Sequence, residues 1–192
     1  PQLGREVLEV WDRENTFGRS ITEREGAPAF IFYEGPPSAN GLPGIHHVLS
    51  RTIKDTICRY KTQQGYLVRR KAGWDTHGLP VELGVEKKLG ITKEDIGHKI
   101  SIEEYNRTCR EAVMEFTGVW EELTRKMGYW VDMKHPYITY ENKYIETLWW
   151  MLKQLFDKGL LYKGYTIQPY SPAAGTGLSN HELNQPGCYR DV

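Results

Sequence analysis

The chain has 192 residues, enough for one substantial core, and its 25 lysines plus arginines balance 25 aspartates plus glutamates. Zero net charge excludes a globally basic nucleic-acid binder, and no run reaches the roughly 18 apolar residues of a membrane span. Cys58, Cys109 and Cys188 are odd in number and far apart, which argues against a disulfide framework and makes the cytoplasm the default compartment.

The opening Pro1-Gln2-Leu3-Gly4 lacks the basic-then-apolar plan of a signal peptide, so an unsecreted chain is expected. With no initial methionine and no closing signal at Asp191-Val192, a fragment of something longer is expected too. Val7, Leu8, Val10 and Trp11 predict a short leading helix that ends around residues 15–18. Ala29-Phe30-Ile31-Phe32-Tyr33 reads as a strand, followed by a Gly/Pro-rich loop over residues 34–44. Ile45, Val48, Leu49, Ile53, Ile57 and Tyr60 follow the three-four spacing of one buried helix face over residues 45–62. Gly65 ends that helix, and Tyr66-Leu67-Val68 opens a second strand running to Asp75. Strand, helix, strand in this order predicts a βαβ unit with parallel strands, which brings loop 34–44 and the loop from Gly73 to one crevice.

The remainder reads as helical. Ser101 and Glu104 form a capping box before one long helix whose stripe is Ile102, Tyr105, Cys109, Val113, Phe116, Trp120, Leu123 and Met127. Another helix is expected over residues 141–158, with Tyr144, Leu148, Leu152 and Leu155 inward and Trp149-Trp150 widening its buried face. An extended stretch and a turn-rich segment follow. Between Arg51 and Lys71 lie seven basic residues and one acid, Asp55; a polyanion-binding stripe and a solvated helix face both fit this run. Cys58 and Cys109 lie on or beside apolar stripes and are expected in the core.

Residues 34–47 read E-G-P-P-S-A-N-G-L-P-G-I-H-H and carry the chemistry. A strand entering a glycine-rich loop that opens a helix leaves N–H groups and a partial positive charge at the helix start, where a nucleotide phosphate is stabilised without a lysine.

This loop, the Gly73-Trp74-Asp75-Thr76-His77-Gly78-Leu79-Pro80-Val81-Glu82 segment and the Trp149-Trp150 helix resemble the class I aminoacyl-tRNA synthetases along nearly the whole chain, and within them the isoleucine branch. Valine enzymes usually carry a different segment at residues 73–80, and leucine enzymes usually have phenylalanine where His77 stands. The resemblance implies an α/β fold: the first half of a Rossmann-like parallel nucleotide-binding sheet with buttressing helices over residues 1–164. Residues 165–192 would then be a stalk that begins an editing insertion absent from this chain, as is the later half of the sheet with its Lys-Met-Ser-Lys-Ser loop. It further implies ATP-dependent activation of isoleucine, with Mg2+ as the ATP complex, then transfer to tRNA(Ile). A monomer with little turnover on its own is expected. Catalysis would fall to His46 and His47, and ATP binding to Gly41, Gly44, His46 and His47. Asp75 would bind the substrate ammonium, Pro36 and Pro37 would border the side-chain pocket, and Trp74 and His77 would shape its wall.

Two positions depart from the family. Its signature is His-x-Gly-His, whereas this chain reads Gly44-Ile45-His46-His47. In an ideal helix position 46 lies about 200° round from position 44. His46 therefore reads either as a substitute phosphate ligand with a different local backbone or as a surface histidine. Where many relatives carry Cys-Pro-x-Cys for zinc, this chain has Ser171-Pro172-Ala173-Ala174, and Cys188 with His181 makes a poor site. No structural zinc is expected. A reading from another class also stands: a non-catalytic module that holds tRNA through residues 51–71.

Overall fold

The computed structural model describes residues 2–172 and 175–183. Cys188, Ala173 and Ala174 lie outside the described residues, as does the side chain of His181. The chain divides into two compact units, Pro1–Thr147 and Leu148–Val192.

The first unit opens with helices α1 (Gln2–Arg13) and α2 (Thr16–Thr22). One helix was expected here; Asn15, at φ 48° and ψ 44°, breaks it by taking the left-handed conformation that asparagine tolerates better than most residues. The strand expected at residues 29–33 is reduced to one parallel bridge, Ala29 to Leu67. Phe30 N–H donates to the Leu67 carbonyl and Leu67 N–H to the Pro28 carbonyl, each at 3.0 Å. Beyond Leu67 the chain leaves this partner, and Asp132 N–H takes the Arg70 carbonyl at 2.9 Å.

Strand β1 (Lys71–Trp74) therefore pairs in parallel with β2 (Asp132–Ile138), at Gly73 to Tyr137 and Trp74 to Ile138. Strand β2 replaces the helical reading of that region. Pro136 hid it, since proline cannot donate to a ladder; it sits where the register shifts between Lys71 and Gly73. The parallel α/β arrangement is as expected, with the second ladder strand arriving from far along the sequence.

Helix α3 (Ile45–Gln63) precedes β1, and α4 (Leu79–Leu89), α5 (Ile102–Val113) and α6 (Thr117–Lys126) run between the two strands. The single long helix expected over residues 101–127 is broken at residues 114–116, where the Phe116 N–H turns to the Ala39 carbonyl at 3.0 Å. That break ties the helical layer to loop 34–44. One core cluster is Ala39, Trp74 and Trp120, with Met114, Phe116 and Ile138 packed against them; Val68, Val85 and Val113 are buried as well. Each fully buried large apolar side chain contributes about 1.5–3 kcal/mol. Cys58 is buried and Cys109 half-buried, both as free thiols.

Helix α3 presents the opposite face from the one expected. Its buried residues are Arg51, Cys58 and Thr62, while the apolar stripe Ile45, Leu49, Ile53, Ile57 and Tyr60 is between 49 % and 82 % exposed. The inward face carries charge because partners await it inside, as described below.

Helix α7 (Asn142–Asp157) spans the division between the units and has no buried residue, so Trp149 and Trp150 do not bury a wide face. In the second unit, β3 (Tyr170–Ser171) and β4 (Thr176–Gly177) form a short antiparallel pair, followed by α8 (Asn180–Leu183). Among the described residues no helix is long and apolar enough to cross a membrane.

The uncovered stripe has a measurable consequence. Replacing Ile53 and Ile57 together by lysine is expected to cut binding of an apolar fluorescent dye while changing stability by no more than about 0.5 kcal/mol per site, as for surface substitutions. A loss of several kcal/mol in thermal or urea unfolding would show that the stripe is packed.

Candidate active site

The loop over residues 34–44 is fixed first at Glu34. Its carboxylate is gripped by Lys54 from α3 and by the Tyr129 hydroxyl, and its side chain is only 6 % exposed. Its backbone carbonyl accepts the Tyr137 hydroxyl at 2.7 Å. Burial pushes the Tyr129 hydroxyl up from its ordinary value, with the Glu34 carboxylate acting in the same sense. Burial, then the nearby Glu34 charge, pushes Tyr137 up to about 12, so both phenols stay protonated donors. Position 73 must be glycine for this arrangement, because a Cβ there would stand inside the Tyr137 ring. The outer face of that ring stacks on Tyr144 at 5.9 Å.

The loop then meets the core. Ala39 is fully buried, the Gly41 carbonyl accepts the Trp120 indole N–H at 2.9 Å, and Asp75 N–H donates to the Pro37 carbonyl at 2.9 Å. Asp75 follows directly on β1, so this bond joins the two loops that the parallel strands were expected to bring together. Pro36, Pro37 and Asp75 are half-buried and Trp74 is buried.

At the start of α3, Gly44 is the N-cap with φ −98° and ψ 171°, extended and outside the helix. The Gly44 N–H donates to His47 Nδ1 at 2.9 Å. A nitrogen that accepts carries no proton, so neutral His47 holds its proton on Nε2. Burial lowers the His47 pKa, followed by the charges of His46 and Arg51. The two imidazoles lie 3.8 Å apart, and His47 meets the Trp120 ring at 4.7 Å and 68°.

The 200° offset expected of His46 presupposed a helical residue 44, and the extended Gly44 removes it. A Cβ at position 44 would stand 2.8 Å from His46 Cε1 and 2.9 Å from its Nδ1. The His46 ring therefore fills the space that a side chain at 44 would need.

His77 is placed differently. Its Nδ1 lies 3.1 Å from Thr139 Oγ1, which also contacts Thr76 Oγ1 at 2.8 Å and accepts the Thr76 N–H at 3.0 Å. Gly78 follows at φ 113°, a conformation open to glycine, and starts α4. His77 borders an open pocket of about 290 Å³ with Glu82, Tyr105, Arg110 and Tyr140. Trp74 and Pro37 instead line a small cavity of about 20 Å³ with Glu34, Arg51 and Tyr129. The wall expected from Trp74 and His77 together is thus divided between two hollows.

The basic run of residues 51–71 is for the most part turned inward, with Arg69 and Lys71 left exposed. Arg51 bonds Thr124 and lies over the Trp120 and Tyr129 rings; Arg59 bonds Asp55 and Gly128 and lies over Trp11 and Trp130; Arg70, with a fully buried side chain, reaches Asp55, Thr62 and the Trp130 carbonyl. With Lys54 on Glu34, four of the seven cations are structural. Among the described residues no cluster of three or more His, Cys, Asp or Glu could hold a metal ion.

Glu34, Tyr137 and Thr139 were given no role by sequence reasoning. Glu34 opens the motif without a diagnostic spacing, and the other two lie on or beside the unrecognised β2.

The family model for tRNA synthetases class I (I, L, M and V) matches residues 6–192. The chain belongs to the class I aminoacyl-tRNA synthetases. It is 75 % identical over 191 residues to the isoleucine–tRNA ligase of Bacteroides fragilis, covering all of this chain and 17 % of that protein. It is 74 % identical to that of Porphyromonas gingivalis and 51 % to that of Clostridium tetani, covering 17 % and 18 % of those proteins. The chain thus spans under a fifth of the length of these synthetases. In fold it is similar to the crystal structure of the ternary complex of Agrobacterium radiobacter K84 agnB2 LeuRS-tRNA-LeuAMS, with a TM-score of 0.60, 20 % identity, and coverage of 94 % of this chain and 20 % of that one.

In this synthetase chain, protonating His47 would place a hydrogen on Nδ1 and cost the bond from Gly44. His47 is a base whose folded pKa lies below its ordinary 6.5, so the unfolded chain takes up the proton first. The bond's contribution is complete above pH 6.5 and is lost as pH falls through the folded pKa. Titration of the His47 ring protons by NMR is expected to show a midpoint below 6.5, with the Gly44 amide signal moving in step. A midpoint at or above that value would contradict the acceptor role of Nδ1.

Proposed function

We propose that the chain is the part of an isoleucine–tRNA ligase that binds ATP at the start of α3 and isoleucine near Pro36, Pro37 and Asp75. The observation that supports it most is the orientation of His47. The first intrahelical bonds of α3 run from His47 N–H and Val48 N–H to the Gly44 carbonyl, which leaves the N–H groups of Ile45 and His46 without a helical acceptor. With Nδ1 occupied by Gly44, His47 keeps its Nε2–H as a donor. Two backbone donors, an imidazole donor and the positive end of the helix dipole suit a nucleotide phosphate.

In the reaction a carboxylate oxygen of isoleucine attacks the α-phosphorus of ATP. A new P–O bond forms, the bond to the bridging oxygen of the β-phosphate breaks, and pyrophosphate leaves. A terminal ribose hydroxyl of tRNA(Ile) then attacks the aminoacyl carbonyl, and the new ester forms as the bond to the phosphate breaks and AMP leaves. Mg2+, arriving as the ATP complex, would offset charge on the phosphate oxygens. The chain's residues provide alignment and stabilisation of phosphate charge rather than covalent help. Asp75, tethered through its N–H to the loop of Pro37, is the carboxylate for the substrate ammonium. His46, filling the space of a side chain at 44, is the imidazole that stands in for the first histidine of the family signature. The reading includes a monomeric cytoplasmic enzyme, a catalytic portion over residues 1–164 and the start of an editing insertion over residues 165–192. A tRNA-holding module loses support, since most of its basic run is turned inward.

Isoleucine-dependent ATP–pyrophosphate exchange by the ligase that contains this chain tests the assignment. Asp75→Ala is expected to reduce exchange roughly 10- to 100-fold through the lost charge-assisted bond, and His47→Ala roughly 100-fold or more. Gly44→His alone collides with His46 and lowers exchange, whereas Gly44→His combined with His46→Gly restores much of it. Wild-type exchange in Asp75→Ala and His47→Ala would remove the site.

A further inference from the structure

We infer that Trp120 is a positioning residue for the nucleotide end of the site, acting through both Gly41 and His47. The inference rests on the proposed role of His47 toward ATP. Trp120 stands on α6, 73 residues beyond His47 in sequence, and is 1 % exposed. Three groups meet its indole. The N–H donates to the Gly41 carbonyl at 2.9 Å, the ring meets the His47 imidazole at 4.7 Å, and the Arg51 guanidinium lies 5.1 Å from its centre.

These contacts fall on both sides of Gly44. Gly41 lies three residues before the N-cap and His47 three after it, and both are held to one rigid side chain. The residues between can then take only the conformations that span a fixed gap. That restricts the Gly44 N–H to its bond with His47 Nδ1, which in turn leaves Nε2–H as the outward donor. Arg51, one helical turn beyond His47, is bound to Thr124, and the Thr124 hydroxyl donates to the Trp120 carbonyl at 2.7 Å. The guanidinium thus seats α3 against the same residue. A tryptophan needed only to fill the core would not require its N–H. Here the N–H is directed at a loop carbonyl three residues before Gly44.

The test separates the hydrogen bond from the packing. Trp120→benzothienylalanine keeps the bicyclic shape and removes only the N–H. In the ligase that contains this chain, labelled at glycine and histidine, the NMR spectrum is expected to show displaced Gly41 and Gly44 amide signals and altered His47 ring signals, with an unchanged thermal midpoint to within a few degrees. ATP titration is expected to weaken by roughly three- to tenfold, the range for one lost hydrogen bond, with isoleucine binding unaffected. The loss should vanish in a His47→Ala background, since a residue acting through His47 has nothing left to position. Trp120→Phe drops the N–H and part of the ring, so it should show the same displaced signals and weaker ATP binding together with a lower thermal midpoint. Unmoved Gly44 and His47 signals, or an ATP loss equally large without His47, would overturn the inference. Moved signals with no ATP binding by the wild-type ligase would instead refute the proposed ATP role and leave the positioning contact standing.

Discussion

A buried carboxylate organises this chain. Glu34 sits at the entrance of the signature loop with its charge held by Lys54 and Tyr129 and its carbonyl held by Tyr137. Those three partners come from α3, from the turn after α6 and from β2, so one residue joins three segments that are distant in sequence. An ion pair of this kind is a poor source of net stability, because desolvation offsets much of the attraction. Losing one partner is costly, however, because it leaves a charge inside. The arrangement therefore specifies where the loop stands more than it stabilises the fold.

The same interior holds an excess of positive charge. Among the described residues Arg51, Lys54, Arg59 and Arg70 face two acids, Glu34 and Asp55. Aromatic faces make up the difference: Arg51 lies over Trp120 and Tyr129, Arg59 over Trp11 and Trp130, and Arg70 over Phe17 and Trp130. Such contacts favour guanidinium, which is weakly hydrated and planar. Helix α3 consequently turns its charged side inward and its isoleucines outward, the reverse of what its periodicity suggests. One helix thus supplies His47 at its first turn and the cations that fix the loop further along.

Local features were readable in the sequence where local chemistry governs them. The glycine at the start of α3 and the Ser101 cap of α5, whose hydroxyl accepts the Glu104 N–H at 3.1 Å, follow from nearby residues, and the parallel sense of the Ala29–Leu67 bridge follows from the order strand, helix, strand. What could not be read depends on contacts across the chain. The break between α5 and α6 answers a carbonyl at Ala39, and the true partner of β1 lies some 60 residues on, masked by Pro136. The direction of α3 misled for a related reason: periodicity shows that a helix has two faces, and only the charge partners show which face is inside. In the site, the signature loop and Asp75 announced themselves as motifs, whereas Glu34, Tyr137 and Thr139 act through tertiary contacts and carry no local mark.

Amide hydrogen exchange in a Glu34→Gln variant addresses the claim that Glu34 sets the loop. The account predicts that the Asp75 N–H, bonded to Pro37, and the Phe116 N–H, bonded to Ala39, exchange at least about tenfold faster in the variant, while amides in the middle of α5 are unchanged. Unaltered protection at both loop-bonded amides would show that the loop keeps its place without the buried charge, and would contradict the account.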